Sequence, residues 1–263
     1  MAKKQKCDPM NLTTLETICY SWLALAIAVH ITMFFITAPF GRHTSKNWGP
    51  MVNNKLGWII MESPSLLIMS YFLFFGTYSF HSYVWILFSI WIFHYLNRTF
   101  IYPLRIKATD KKMPLFIVLN AILFNCMNAG LNGYFLAELA SPEKYGNTWL
   151  FSPLFLIGAY LFIIGMSINW RVDHILINLR KPGETGYKIP KGFLFDYISS
   201  PNLFGEIIEW SGFAIMAWNL PALTFMTWTL ANLVPRAKNH HDWYKNKFID
   251  YPKDRKAVFP FIF

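Results

Sequence analysis

The 263-residue chain is 54% hydrophobic and 19% aromatic but only 14% charged, with a mean hydropathy of +0.31, which excludes an ordinary soluble domain. Its net charge of +10 would suit nucleic acid, yet the basic residues fall between apolar blocks rather than along one polar face, so the charge reads as membrane topology and no nucleic-acid partner is expected. Cys7, Cys19 and Cys126 stand far apart without CxxC or Cys/His spacing, so neither a disulfide framework nor a metal site is expected.

Apolar blocks of about 20 residues, the length that crosses roughly 30 Å of hydrocarbon, predict helices over 14–38, 58–76, 80–103, 114–139, 149–168, 202–218 and 221–235. The first block is too long for the core of a cleavable signal peptide and lacks a small-residue cleavage site, so it reads as a span. The sixth and seventh are separate only if Asn219, Leu220 and Pro221 break one long apolar run; a single kinked helix would give six. With seven spans, nineteen of the 24 Lys and Arg residues fall on one side, in 42–55, 105–112, 171–191 and the tail from Arg236 onward. The positive-inside rule then places the C-terminus in the cytoplasm and the N-terminus outside. The expected fold is an all-α integral membrane protein of seven transmembrane helices, in the endoplasmic reticulum of a eukaryote or the inner membrane of a bacterium. No repeat or linker divides the chain, so 1–263 reads as one membrane domain. Its longest polar stretch, 169–201, carries the turn-rich runs Lys181-Pro-Gly-Glu-Thr-Gly-Tyr187 and Ile189-Pro-Lys-Gly192, which predict an ordered cytoplasmic loop.

Polar residues within the spans need a partner or an aqueous cavity, because a charged side chain at a span centre costs about 2.5 to 3.5 kcal/mol on insertion scales. Glu62 lies near the cytoplasmic edge of the second span, beside Pro64; a solvated interfacial carboxylate is the simpler alternative. The third span ends in His94, Tyr95, Asn97, Arg98 and Tyr102, with Tyr95, Arg98 and Tyr102 on one face. Arg98 and Tyr102 alone would also suit snorkelling anchors. Asn125, Asn128 and Asn132 recur at intervals of three and four on the fourth span, where interhelical amide contacts are the alternative to a ligand. Asn169 and Asp173 follow the fifth span, Asn202, Glu206 and Glu209 open the sixth, and His240 and Tyr244 stand four apart in the tail.

All these stripes fall toward the basic side of the membrane, which predicts one cytoplasmic polar cavity. Asp173, Glu206, Asn128, Asn169 and Asn202 suit a heterocycle and ribose hydroxyls, while Arg98, Arg180 and Lys181 suit phosphates, so a nucleotide is expected. It is held by neither a P-loop nor a dinucleotide-binding glycine motif, since GxxxxGK[ST] and a GxGxxG after a strand are both missing.

The chain resembles the steroid 5α-reductases (3-oxo-5α-steroid 4-dehydrogenases), most nearly the mammalian type 2 member. The likeness rests on Leu179-Arg-Lys-Pro-Gly-Glu184, Gly205-Glu-Ile-Ile-Glu-Trp210, Pro221-Ala-Leu-Thr-Phe225 and Asp250-Tyr-Pro-Lys-Asp-Arg-Lys-Ala257, together with Glu62 to Ser65 and His94 to Phe100. It implies a seven-helix enzyme that uses NADPH to reduce the 4,5 double bond of a 3-oxo-Δ4 steroid, a lipophilic substrate drawn from the bilayer lipid. Glu62 and Tyr95 match the catalytic pair. Asn169, Asp173, Arg180, Tyr187, Asn202, Glu206, His240 and Tyr244 match cofactor-contacting positions, and Arg98 and Asn128 are added to them. Residues 1–139 would then carry the substrate and the catalytic pair, and 140–263 mainly the cofactor; a monomer without metal is expected. Met61 and Phe40 depart from the family pattern at positions bearing on substrate contacts.

Reducing an enone requires the developing enolate oxygen to be stabilised, which a positioned Tyr95 hydroxyl could do, with Glu62 orienting it. The rival readings are a reductase of another lipid enone or alkene, such as a polyprenol or an enoyl thioester, an S-adenosylmethionine-dependent membrane methyltransferase, and a lipid transporter or receptor.

Overall fold

The computed structural model describes residues 10–76, 82–107, 110–181, 184 and 186–263. The N-terminal lysines and Cys7, the first two residues of the predicted third helix, and Pro182, Gly183 and Thr185 of the turn-rich loop lie outside the described residues. The chain is a mostly helical, multi-pass membrane protein. Among the described residues, five helices are long and apolar enough to span a bilayer: α1 (Leu12–Phe35), α2 (Asn54–Phe75), α3 (Tyr83–Arg105), α4 (Leu115–Leu139) and α5 (Pro153–Asn178). They are followed by α6 (Pro201–Ala217), of 17 residues, and α7 (Leu220–Lys247), which carries the basic tail.

The break expected around Asn219 is present. Trp218 adopts a left-handed conformation with φ 46° and ψ 48°, and the Asn219 side chain accepts from the Ala222 amide at 2.9 Å, capping α7. The last carbonyls of α6 are bonded from outside the helix: Trp149 Nε1 donates to Met216 O at 3.1 Å, Tyr83 OH to Ala217 O at 2.6 Å and Tyr145 OH to Trp218 O at 3.1 Å. These are acceptors that a helix end leaves unpaired.

Two helices outrun their apolar blocks. α5 continues to Asn178 and α7 to Lys247, passing Pro235 without ending. Asn169 and Asp173 therefore stand on α5 itself and not in a loop after it, and His240 and Tyr244 stand on α7. Apolarity ends where lipid ends, but these segments keep one buried face, through Asn169, Val172 and Asp173 on α5 and Ala237 and Tyr244 on α7. Packing therefore sustains each helix beyond its apolar block.

Two devices position the site. Gly158 and Gly165 on α5 face Gly205 and Gly212 on α6, each pair seven residues apart, and the helix backbones touch there. A Cβ at Gly158 would lie 2.5 Å from the Met216 nitrogen, and one at Gly205 would lie 2.9 Å from the Gly165 carbonyl oxygen. Small residues allow this close approach within a bilayer. On the other side of the site, β1 (Met51–Asn53) pairs antiparallel with β2 (Lys112–Pro114), tying the α1–α2 and α3–α4 connections together. The C-terminal tail docks beside the start of α6, where Ser199 and Ser200 amides donate to Lys256 and Ala257 carbonyls at 2.8 and 3.1 Å.

Candidate active site

A cavity of about 420 Å³ lies among α1, α2, α3, α4, α6 and α7. Trp22, Val29 and Met33 of α1 and Phe124 of α4 give it an apolar wall, while Glu62, His94, Tyr95, Arg98, Asn125, Glu206 and Arg236 supply its polar groups. Phe40 and Met61, the two departures from the family pattern, both line it.

The structure brings Glu62 and Tyr95 to one place, joined through a third residue. Asn125 Nδ2 donates to the Met61 carbonyl at 2.6 Å and to Glu62 Oε2 at 3.3 Å, while Tyr95 OH donates to Asn125 Oδ1 at 3.3 Å. Glu62 and the Tyr95 hydroxyl thus meet through Asn125. Asn125 was legible as part of a polar stripe but was not assigned a site role.

Arg98 sits on a π-helical turn of α3, Asn97–Ile101, a distortion frequent at functional sites. Its guanidinium lies 3.3 Å from Glu206 and 3.8 Å from Asp173, and it covers the Trp58 and Tyr102 rings at 4.6 and 5.0 Å. Asn169 Nδ2 also donates to Glu206, at 3.2 Å, while its Oδ1 is buried without a hydrogen-bond partner. Arg98, expected from sequence to suit a phosphate, is thus paired with two carboxylates. A second buried pair lies alongside: His94 Nδ1 meets Glu209 Oε1 at 2.6 Å.

A different cluster gathers further toward the loops. Arg42 covers Tyr244 at 4.2 Å, Trp243 at 5.0 Å and Tyr187 at 5.9 Å, and Lys111 stands 5.7 Å over the Tyr187 ring. Tyr187 packs edge-on to Trp243 at 4.9 Å, and Tyr244 stacks on Tyr251 at 5.3 Å. His43 stacks on His240 at 5.4 Å. Burial, then Arg42 and then Arg236, lower the His43 pKa to about 4, and burial followed by Arg180 and Arg42 lowers that of Lys111. Among the described residues no carboxylate comes within ion-pair distance of Arg42, Lys111 or Arg236, and Arg42 Nη1 and His43 Nε2 are buried without hydrogen-bond partners. Crowded cations outside ion-pair distance of any acid suit an anion.

The remaining expected residues are dispersed. Arg180 Nη1 donates to the Gly186 carbonyl at 3.2 Å. Asn202 is half-buried in the first turn of α6, one turn before Glu206. Asn128 accepts from Trp22 Nε1 at 3.3 Å and donates to the Phe124 carbonyl at 2.8 Å, so it joins α4 to α1 and does not line the cavity. Arg42, His43 and Arg236 were read from sequence, if at all, only as basic residues bearing on topology.

A membrane-embedded cavity that holds a tyrosine hydroxyl, buried carboxylates and a cationic annex belongs to an integral membrane enzyme. The family model described as 3-oxo-5-alpha-steroid 4-dehydrogenase matches residues 111–263. A steroid 5-alpha-reductase of Gossypium hirsutum is 43% identical over 246 residues, covering 91% of this chain and 93% of its own. The 3-oxo-5-alpha-steroid 4-dehydrogenase 1 of Bos taurus is 38% identical over 252 residues (94% of this chain, 96% of that protein), and its Homo sapiens counterpart is 38% identical over 256 residues (95% of each). The chain belongs to the 3-oxo-5-alpha-steroid 4-dehydrogenase family, oxidoreductases acting on CH–CH groups. The motif likeness to the mammalian type 2 member thus sits within a wider likeness to plant and type 1 animal members.

Proposed function

We propose that this protein uses NADPH to reduce the 4,5 double bond of 3-oxo-Δ4 steroids to the 5α-reduced products. The observation that carries the reading is the meeting of Tyr95 and Glu62 at Asn125 in a largely apolar cavity. The names of the relatives support the substrate class. The cationic annex fits a phosphorylated dinucleotide: Arg42, Lys111, Arg180 and Arg236 suit its phosphates, and the buried Arg42 Nη1 and His43 Nε2 offer it unused polar atoms. Tyr187, His240 and Tyr244 would flank it, and Asn169, Asp173, Asn202 and Glu206 suit its amide and hydroxyl groups. Arg42, His43 and Lys111 come from the first 139 residues, so the cofactor face draws on both halves of the chain. A single chain supplies every one of these groups.

Bound NADPH would supply the hydride. The protein's part is to stabilise the negative charge that grows on the ketone oxygen as the double bond is reduced. The Tyr95 hydroxyl, which donates to Asn125 in this structure, is the group available to donate to that oxygen. Asn125 and Glu62 hold the hydroxyl's approach, and the aromatic walls keep water from competing. In the bilayer we read α6 and α7 as the sixth and seventh spans. The N-terminus then lies outside, the site opens to the cytoplasm of an endoplasmic reticulum or bacterial inner membrane, and substrate arrives from the lipid.

The test is to incubate purified protein and NADPH with testosterone, progesterone, a polyprenol and an enoyl thioester, identifying products by mass spectrometry. A 5α-reduced steroid is the expected product; absence of steroid turnover while another substrate is reduced overturns the reading. Thermal stabilisation by S-adenosylmethionine and not by NADPH would overturn the cofactor.

A further inference from the structure

The buried pair between α3 and α6 has no part in the mechanism so far. Glu209 is fully buried, and its carboxylate accepts from His94 Nδ1 at 2.6 Å while its Oε2 has no hydrogen-bond partner. Taking a carboxylate out of water is costly, and an apolar pair at a helix crossing would cost less. His94 precedes Tyr95 in the chain, and its ring lies edge-on both to Tyr95 at 5.1 Å and to Trp210 at 4.7 Å. Trp91 covers the other side of Tyr95, near-parallel at 5.5 Å, and is itself pinned by a 3.1 Å hydrogen bond from its Nε1 to Ser65. Tyr95 therefore sits among aromatic neighbours fixed by two buried polar bonds, one of them the Glu209–His94 bond.

We infer that Glu209 is a positioning residue for the reaction, acting through His94 to hold the Tyr95 ring where its hydroxyl can serve the substrate ketone. An imidazole turns readily about its last side-chain torsion, since such torsions have broad, roughly two-fold preferences. A hydrogen bond to one ring nitrogen fixes both the plane and the tautomer. Glu209 can do this because α6 has no slack beneath it: a Cβ at Gly165 would come within 2.6 Å of the Glu209 Cα, so the two backbones are in contact. With Nδ1 committed, His94 presents its remaining edge to the cavity it lines. The inference rests on the role given to Tyr95 above and adds a residue whose side chain does not line the cavity.

The experiment compares Glu209→Leu, Glu209→Gln and the paired replacement His94→Leu/Glu209→Met, each in wild-type and Tyr95→Phe backgrounds. Steady-state turnover of a 3-oxo-Δ4 steroid and the near-ultraviolet circular dichroism of the Trp91, Tyr95 and Trp210 cluster are both recorded. The paired replacement leaves no unpaired charge at the crossing, so it reports on function even where Glu209→Leu unfolds. We expect Glu209→Leu and the paired variant to lower kcat about tenfold to 100-fold with KM changed less than about threefold, and to alter the dichroism. Glu209→Gln keeps an oxygen to accept from Nδ1 and should restore kcat to within about threefold of wild type. In the Tyr95→Phe background the Glu209 effect should shrink to less than about threefold, since residues that act through one another are not additive. Full additivity in that background, or a Gln variant as impaired as the Leu variant, overturns the inference. Tyr95→Phe at the wild-type rate would instead sink the reading of Tyr95, while an unchanged dichroism spectrum in Glu209→Leu would separately sink the positioning role.

Discussion

The two polar regions of this molecule handle their cations in opposite ways. In the deep region Arg98 is paired with Glu206 and Asp173, and His94 with Glu209. In the annex, Arg42 and Lys111 lie over aromatic rings, and among the described residues no carboxylate is within ion-pair distance of them. Paired charges set geometry without attracting ligand, whereas cations packed on rings keep their field for an incoming anion. Under the proposed function, the deep region would be the fixed part of the site and the annex the part that takes up a charged cofactor.

The comparison breaks most sharply at Arg98. Replacing it with leucine strands two buried carboxylates, and a loss of about 3 to 5 kcal/mol in unfolding free energy is expected, measured by thermal or denaturant unfolding in detergent. Tyr95→Phe should leave stability and NADPH affinity nearly unchanged while lowering kcat about 100-fold to 1,000-fold, as for the loss of one oxyanion donor. In the annex, Arg42→Gln should weaken NADPH about tenfold to 100-fold, the equivalent of a lost charge-assisted hydrogen bond. Titration of NADPH fluorescence at two salt concentrations would test it, the wild type losing affinity with salt more steeply than the variant.

The smallest expected effect is the acid sensitivity of His43. Its pKa falls from 6.5 to about 4 in the folded protein, so the unfolded chain binds the extra proton first. The stabilisation is complete above about pH 6.5 and is lost as the pH falls toward 4. His43→Asn should flatten the decline of Tm in that window, by less than full linkage because the ring is only half-buried. A steeper decline in the variant would remove His43 from the account.

Much of this plan is legible in the sequence. Hydropathy placed the apolar part of each helix, and the three-and-four spacing placed Tyr95, Arg98, Asn169, Asp173 and Glu206 near one another. It missed the polar ends of α5 and α7 because apolarity reports where lipid stops, not where backbone hydrogen bonding stops. The His94–Glu209 pair escaped because its members are 115 positions apart, and their meeting depends on glycines that bring α6 against α5. Arg42 and Arg236 escaped for a different reason: a basic residue beside a span has an adequate explanation in topology.

One feature of the cavity wall bears on how the enzyme would be supplied. Of the 24 residues of α1 only Leu15, Cys19 and Ala26 are buried, whereas eleven of the 17 in α6 are. The α1 helix walls the cavity with few of its own residues buried, and Trp22 against Trp228 and His30 on the Ala231 carbonyl at 3.0 Å are among its anchors. For a ligand dissolved in the bilayer, the quantity that governs occupancy is its mole fraction among the lipids, not its concentration in water. If substrate arrives from the lipid as proposed, the same amount of steroid spread through twice the membrane should half-saturate the enzyme at about twice the nominal dose.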